Sequence, residues 1–144
     1  MMKPEQQRIA IAEACKWVFE KKPRCNMLSK IDAWHLISPE GKVRCWKEVL
    51  INTSNGPDST YYPFEGKLVD YLEEASVPNY TEDLNAMHDA EKVLTEDQRE
   101  QYLNSLYKVC NPDSMLNDAW NLNCATAAQR AEAFLRTIGK WEGE

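Results

Sequence analysis

An α+β fold is predicted for this chain of 144 residues: a small antiparallel sheet flanked by helices, with a helix-rich C-terminal half. Three observations predict it. Residues 33–37 and 43–51 are extended, apolar-rich runs on either side of Ser38-Pro39-Glu40-Gly41-Lys42, which carries turn chemistry. Thr95-Glu96-Asp97-Gln98 and Thr126-Ala127-Ala128-Gln129 each have a hydroxyl three residues before a Gln, the pattern that opens a helix. The length suits one domain over 1–144, large enough to bury a core without disulfide or metal staples.

The elements follow in order. Residues 5–22 read as an amphipathic helix, because Ile11, Ala14, Cys15, Val18 and Phe19 repeat at helical spacing and Pro23 stops it. The runs 33–37 and 43–51 form a hairpin. Alternation along the second places Arg44 and Trp46 on one face and Cys45 and Lys47 on the other. Residues 52–66 are the longest loop-like stretch, and Tyr61, Tyr62 and Phe64 within it imply packing or binding. Residues 67–75 fit a short helix or a strand equally well. A helix over 80–94 is capped by the Asn79–Glu82 pair, and one over 96–110 presents Tyr102, Leu103, Leu106 and Cys110. A short turn of helix is expected within 113–120. The last helix follows Thr126, presents Ala127, Ala131, Phe134, Leu135 and Ile138, and stops at Gly139, with Trp141 folding back on it.

Composition narrows the function classes. With 43% apolar and 28% charged residues, 5 Gly and 7 Pro, the chain is neither collagenous nor low-complexity. No stretch reaches the ~20 apolar residues of a membrane span, and Met1-Met2-Lys3-Pro4-Glu5 lacks the apolar core of a signal peptide. A cytoplasmic location is expected. The net charge of −6 is uneven: residues 1–64 carry +3 and residues 65–144 carry −9. The acidic balance argues against duplex nucleic acid as a partner. Glu73, Glu74, Glu96 and Glu100 are candidate contacts for a basic partner. The 5 cysteines (Cys15, Cys25, Cys45, Cys110 and Cys124) are widely spaced and odd in number, with no C-x-x-C, so neither a disulfide framework nor a zinc site is expected.

Two blocks resemble a known family. Val77-Pro78-Asn79-Tyr80 with Asp83-Leu84-Asn85-Ala86-Met87-His88-Asp89-Ala90-Glu91-Lys92-Val93-Leu94-Thr95 resembles the central motif of small phage and prophage proteins called the phage ABA-sandwich domain. The tail from Ala125 to Glu142 is similar to that family's C-terminal segment, and Ile9–Cys15 with Trp17 to its opening. The resemblance implies an α/β/α layering and a location in the infected bacterial host. It implies no activity.

Two clusters are candidate sites. Tyr80, Asp83, Leu84, Met87, Ala90, Glu91 and Leu94 share one helix face, with His88 at its edge, so two carboxylates stand in an apolar stripe. Asp83, His88 and Glu91 either form an acid/base set, as for a small hydrolase, or a ligand-binding set, or are structural, capping or pairing with Arg130, Arg136 or Lys140. Arg44, Trp46, Lys47 and Tyr62 are the candidate ligand-binding set, since cations hold phosphates and aromatic rings stack on bases. No nucleophile elbow, phosphate-binding glycine loop or metal spacing accompanies either cluster, and neither a cofactor nor a metal is expected. The sequence therefore points to a non-enzymatic phage or prophage accessory protein that binds and blocks a bacterial host factor, such as a defence component. The alternatives are a nucleotide-signal-sequestering protein and the small hydrolase.

Overall fold

The computed structural model describes residues 1–25, 30–45, 48–52, 59–63, 67–73, 75–112 and 119–143. Over 22–25, 30–33, 43–45, 48–52 and 59–63, and at Asp70, Ala119 and Trp120, the description is of the backbone alone. The fold is α+β with a helix-rich C-terminal half. The chain divides into two compact units, one of residues 1–15 and 78–144 and one of residues 16–77.

The 16–77 unit carries the strands. β1 (Val18–Cys25), β2 (Lys30–Ile37) and β3 (Val43–Cys45) form an antiparallel sheet in that order, and β4 (Glu48–Asn52) pairs antiparallel with β5 (Ser59–Pro63). The predicted turn joins β2 to β3. Gly41 at φ +79° closes it, Ser38 and Lys42 are bonded through their backbones at 2.9 Å, and Ile37 pairs with Val43. Lys21 lies opposite Trp34 in the β1–β2 register, its ammonium 6.0 Å from the ring centroid. Leu36, Tyr71, Leu72, Ala75 and Val77 are buried within this unit.

Three expectations are corrected here. The first helix, α1 (Pro4–Ala14), ends well before residue 22. Lys16 takes a left-handed backbone at φ 74°, and Val18 and Phe19 enter β1, where they pair with Ile37 and Leu36. Pro23 lies inside β1 rather than stopping a helix, and β1 is an edge strand, where a residue without an N–H is tolerated. The stretch 52–66 is not all loop, because Ser59–Pro63 forms β5. The run 43–51 serves two sheets, as β3 and β4, with 46–47 between them outside the described residues. Residues Leu68–Tyr71 form a short 3₁₀ helix, which decides the open choice at 67–75.

The other unit is helical: α1, α2 (Leu84–Glu91), α3 (Glu96–Cys110), α4 (Ala119–Asn123) and α5 (Ala127–Thr137). α5 packs on α1, α2 and α3, and its Ala127, Ala131, Ala133, Phe134 and Leu135 are buried. Ile11 and Ala12 of α1, Met87 and Ala90 of α2, and Tyr102 and Leu106 of α3 complete the core. Leu103, expected in the apolar stripe of α3, is instead 56% exposed. The C-terminal stop is a Schellman motif: Gly139 stands at φ +71°, its N–H reaches Arg136 O at 3.3 Å, and the Lys140 N–H reaches Leu135 O at 2.8 Å. Beyond it, the Arg136 guanidinium lies 5.3 Å from the Trp141 ring centroid.

Both threonine caps form as the spacing predicts. Thr95 Oγ1 accepts from the Gln98 N–H at 3.3 Å and Thr126 Oγ1 from the Gln129 N–H at 3.2 Å. Each Gln side chain returns a bond to the cap N–H, at 3.0 and 2.9 Å. Thr95→Ala and Thr126→Ala are each expected to cost about 1 kcal/mol in urea unfolding, because a helix-end donor loses its acceptor.

Candidate functional site

The polar cluster in the helical unit is assembled by helix ends. α2 starts later than the predicted residue 80, because Asp83 is its N-cap: the exposed carboxylate accepts the N–H groups of Asn85 and Ala86 at 2.9 and 3.2 Å. The pair of Asn79 and Glu82 does form, at 2.8 Å, but in the turn before the helix. Asp83 thus serves the backbone of its own helix and does not turn inward.

Glu91, at the other end of α2, does turn inward and is 18% exposed. Thr95 starts α3 four residues later, and this tight connection brings Tyr102 back beside Glu91. The buried Tyr102 hydroxyl donates to Glu91 Oε1. Arg130, in the first turns of α5 and 13% exposed, reaches the same oxygen through Nη1 at 3.0 Å. Its Nη2 and Nε also donate to the carbonyls of Leu122 and Ala125, at 3.3 and 3.4 Å. The His88 Nδ1 lies 3.1 Å from Glu91 Oε2 and donates to it in the tautomer that places the proton there. Glu91 therefore ties α2 to α3 and α5.

The electrostatics follow from this geometry. Burial pushes the Tyr102 hydroxyl well above its ordinary value of 10, and the bond to Glu91 and its negative charge push the same way, with Arg130 opposing in part. Burial alone would lower the Arg130 pKa, but the bond and charge of Glu91 reverse this and raise it. Because the folded protein holds the Tyr102 proton more tightly than the unfolded chain does, its contribution is complete below about pH 10 and lost as pH rises through the folded value. Urea unfolding at about pH 8 and about pH 11 is expected to show stability falling with pH, and falling less in Tyr102→Phe.

This arrangement favours holding helices together over proton transfer. A general base needs an oxygen free to take a proton from a substrate, and both oxygens of Glu91 are engaged. Burial raises the Cys15 and Cys110 thiols above the usual range, which disfavours the reactive thiolate. Among the described residues, no group of His, Cys, Asp or Glu is placed to hold a metal ion.

Above the cluster lies an open groove of about 330 Å³, lined by His88, Glu91, Lys92, Leu94, Arg99, Tyr102 and Leu103. Lys92 is paired with Asp89 at 2.6 Å, and that bond and charge hold the Asp89 carboxyl below its usual range. The Arg99 backbone N–H donates to the Thr95 carbonyl at 2.9 Å, and its exposed side chain makes no hydrogen bond or ion pair among the described residues. A second cavity, of about 440 Å³, is lined by Ser105, Lys108, Val109, Pro112, Glu132 and Arg136.

Arg44 lies in β3 opposite Leu36 and Tyr62 in β5 opposite Val49, but their side chains, and Trp46 and Lys47 entirely, lie outside the described residues. Glu96 and Glu100 are exposed one turn apart on α3. Glu73 is exposed in the 16–77 unit, and Glu74 is outside the described residues. Sequence reasoning read Tyr102 and Leu103 as core and passed over Arg99. The signal for Tyr102 was its hydroxyl, which needs a partner when buried.

No helix among the described residues is long and apolar enough to cross a membrane. Comparison of the chain with family models, with curated protein sequences and with solved structures finds no match.

Proposed function

We propose that this chain is a non-enzymatic binding protein, a phage or prophage accessory protein that occupies and blocks a bacterial host factor, and that the α2–α3 groove is where the host protein docks. One observation carries the reading: Leu103 stands 56% exposed at the groove. The lining beside it is apolar at Leu94 and Tyr102, while the one carboxylate there is already engaged by Tyr102, Arg130 and His88. An apolar side chain kept in water beside an apolar groove lining is a feature a protein partner can cover, and the flanking charges suit the polar rim of such a contact. The phage assignment rests on the resemblance of residues 77–95 and 125–142.

The test is affinity capture from bacterial lysate with the tagged chain and with Leu103→Asp, each first shown to unfold at the same denaturant concentration as the other. A discrete partner held by the parent and released by Leu103→Asp supports the reading. Capture indifferent to Leu103→Asp, or a hydrolytic activity that His88→Ala abolishes, overturns it.

A further inference from the structure

The strand register aligns three chemistry-bearing residues in the 16–77 unit. Glu20 of β1 pairs with His35 of β2, and His35 pairs in turn with Cys45 of β3. Residues directly opposite in an antiparallel sheet share a face, with Cβ atoms about 4.5–5.5 Å apart. A carboxylate residue, an imidazole residue and a thiol residue therefore form one cross-strand row, with the histidine in the middle. Glu20 Oε2 and His35 Nε2 are buried atoms of half-buried residues. The next row on that face is Val18, Ile37 and Val43. Alternation places Lys22 and Arg24 further along β1 on the same face, and Glu20 is the only acid there among the residues of the three strands.

We infer that the row Glu20–His35–Cys45 makes Cys45 a nucleophilic thiol, a modification site for soft carbon electrophiles, with His35 as the base that takes its proton and Glu20 as the group that orients the imidazole. The order across the sheet assigns the roles. An imidazole has one nitrogen to donate to a carboxylate and one to accept from a thiol, and only the middle position serves both neighbours. A shared metal ion does not suit the same order. Glu20 and Cys45 flank β2, so their Cβ atoms stand about 9–11 Å apart, too far for both to reach one ion through bonds of about 2.0–2.3 Å. Lys22 and Arg24 add positive charge on this face, which favours a thiolate further. With an α,β-unsaturated carbonyl compound, the sulfur bonds to the β-carbon as the C=C electron pair moves to the α-carbon. The α-carbon then takes the proton that His35 removed from the thiol, so every atom is retained and no co-reactant is needed. The site belongs to the 16–77 unit and does not rest on the reading of the α2–α3 groove.

The experiment alkylates the full chain with acrylamide and reads the rate at each cysteine by mass spectrometry, with the exposed Cys124 as the reference. At pH 6 an ordinary thiol is less than about 1% thiolate, so an activated one carries far more of the nucleophile. Lower intrinsic nucleophilicity takes back part of that gain, and Cys45 is expected to react roughly tenfold faster than Cys124. At pH 9 ordinary thiols ionise as well, and the preference is expected to vanish. His35→Gln keeps a polar side chain but no base, and should bring the two pH 6 rates within about twofold of each other. Glu20→Gln should remove part of the preference. Three results overturn the inference: Cys45 no faster than Cys124 at pH 6, a preference equal at pH 6 and pH 9, which reports exposure instead of ionisation, or a folded His35→Gln variant that reacts like the parent. The first two are read on the parent chain alone, so they decide the matter even where a substitution unfolds the sheet.

Discussion

Glu91→Ala is expected to lower the stability of the helical unit by about 3 kcal/mol, measured as urea unfolding at neutral pH. The substitution leaves the Arg130 guanidinium, 13% exposed, without its carboxylate, with the neutral carbonyls of Leu122 and Ala125 still accepting from it, and leaves the buried Tyr102 hydroxyl without the acceptor it has. Breaking a fully buried ion pair by removing one partner costs about 3–5 kcal/mol, and residual solvent contact at this pair places the cost at the lower end. Glu91→Gln keeps an acceptor oxygen but not the charge, so it should lose less, about half as much. If Glu91→Ala melts like the parent, the carboxylate does not hold the helices together, and the acid/base reading of His88 and Glu91 regains its ground.

Phe134→Ala should cost about 4 kcal/mol, since truncating a buried ring loses both its transfer energy and the packing around the cavity left behind. Phe134 is fully buried on α5, the helix that packs on α1, α2 and α3, so the loss is felt by the helical unit as a whole. Leu103→Ala provides the contrast. Helical spacing alone places Leu103 in the apolar stripe of α3, yet it is more than half exposed, and its truncation should change stability by less than about 0.5 kcal/mol. Denaturant midpoints of the two variants decide whether the burial pattern is as described. Comparable losses at both positions would place Leu103 in the core and remove the apolar feature on which the docking groove depends.

The features legible in the sequence are those that local chemistry determines. Thr95 and Thr126 with their Gln partners, Gly139, and the Ser38–Lys42 turn each satisfy backbone groups within a few residues, so the pattern alone locates them. What was not legible depends on distant pairing. Val18 and Phe19 continue the helical spacing of Ile11 and Cys15, but their backbone bonds are made by β2, and no local signal marks the left-handed turn at Lys16. Tyr61 and Tyr62 sit in a stretch rich in turn residues, and only β4 opposite makes that stretch a strand. Leu103 and Leu106 share one stripe, yet Leu106 is buried and Leu103 exposed, and the packing of α3 on α5 is a distant contact that helical spacing does not specify.

The candidate site divides along the same line. Glu91 is conspicuous as a carboxylate in an apolar stripe, so its need for a cation is predictable, and Arg130, 39 residues away, is among the cations expected. Asp83 looked equivalent to it on the helical wheel, but a helix that starts at Leu84 turns Asp83 into a cap. The groove itself arises from the short α2–α3 connection, whose geometry no residue pattern announces.

The central claim is that Glu91 and Arg130 form a structural pair that fixes the helices lining the groove. Its most direct test is a double-mutant cycle of Glu91→Ala and Arg130→Ala by equilibrium urea unfolding. A structural pair predicts that each single variant is strongly destabilised and that the double variant loses less than the sum, by a coupling energy of at least about 1.5 kcal/mol. Single variants within about 0.5 kcal/mol of the parent, with coupling indistinguishable from zero, would contradict it.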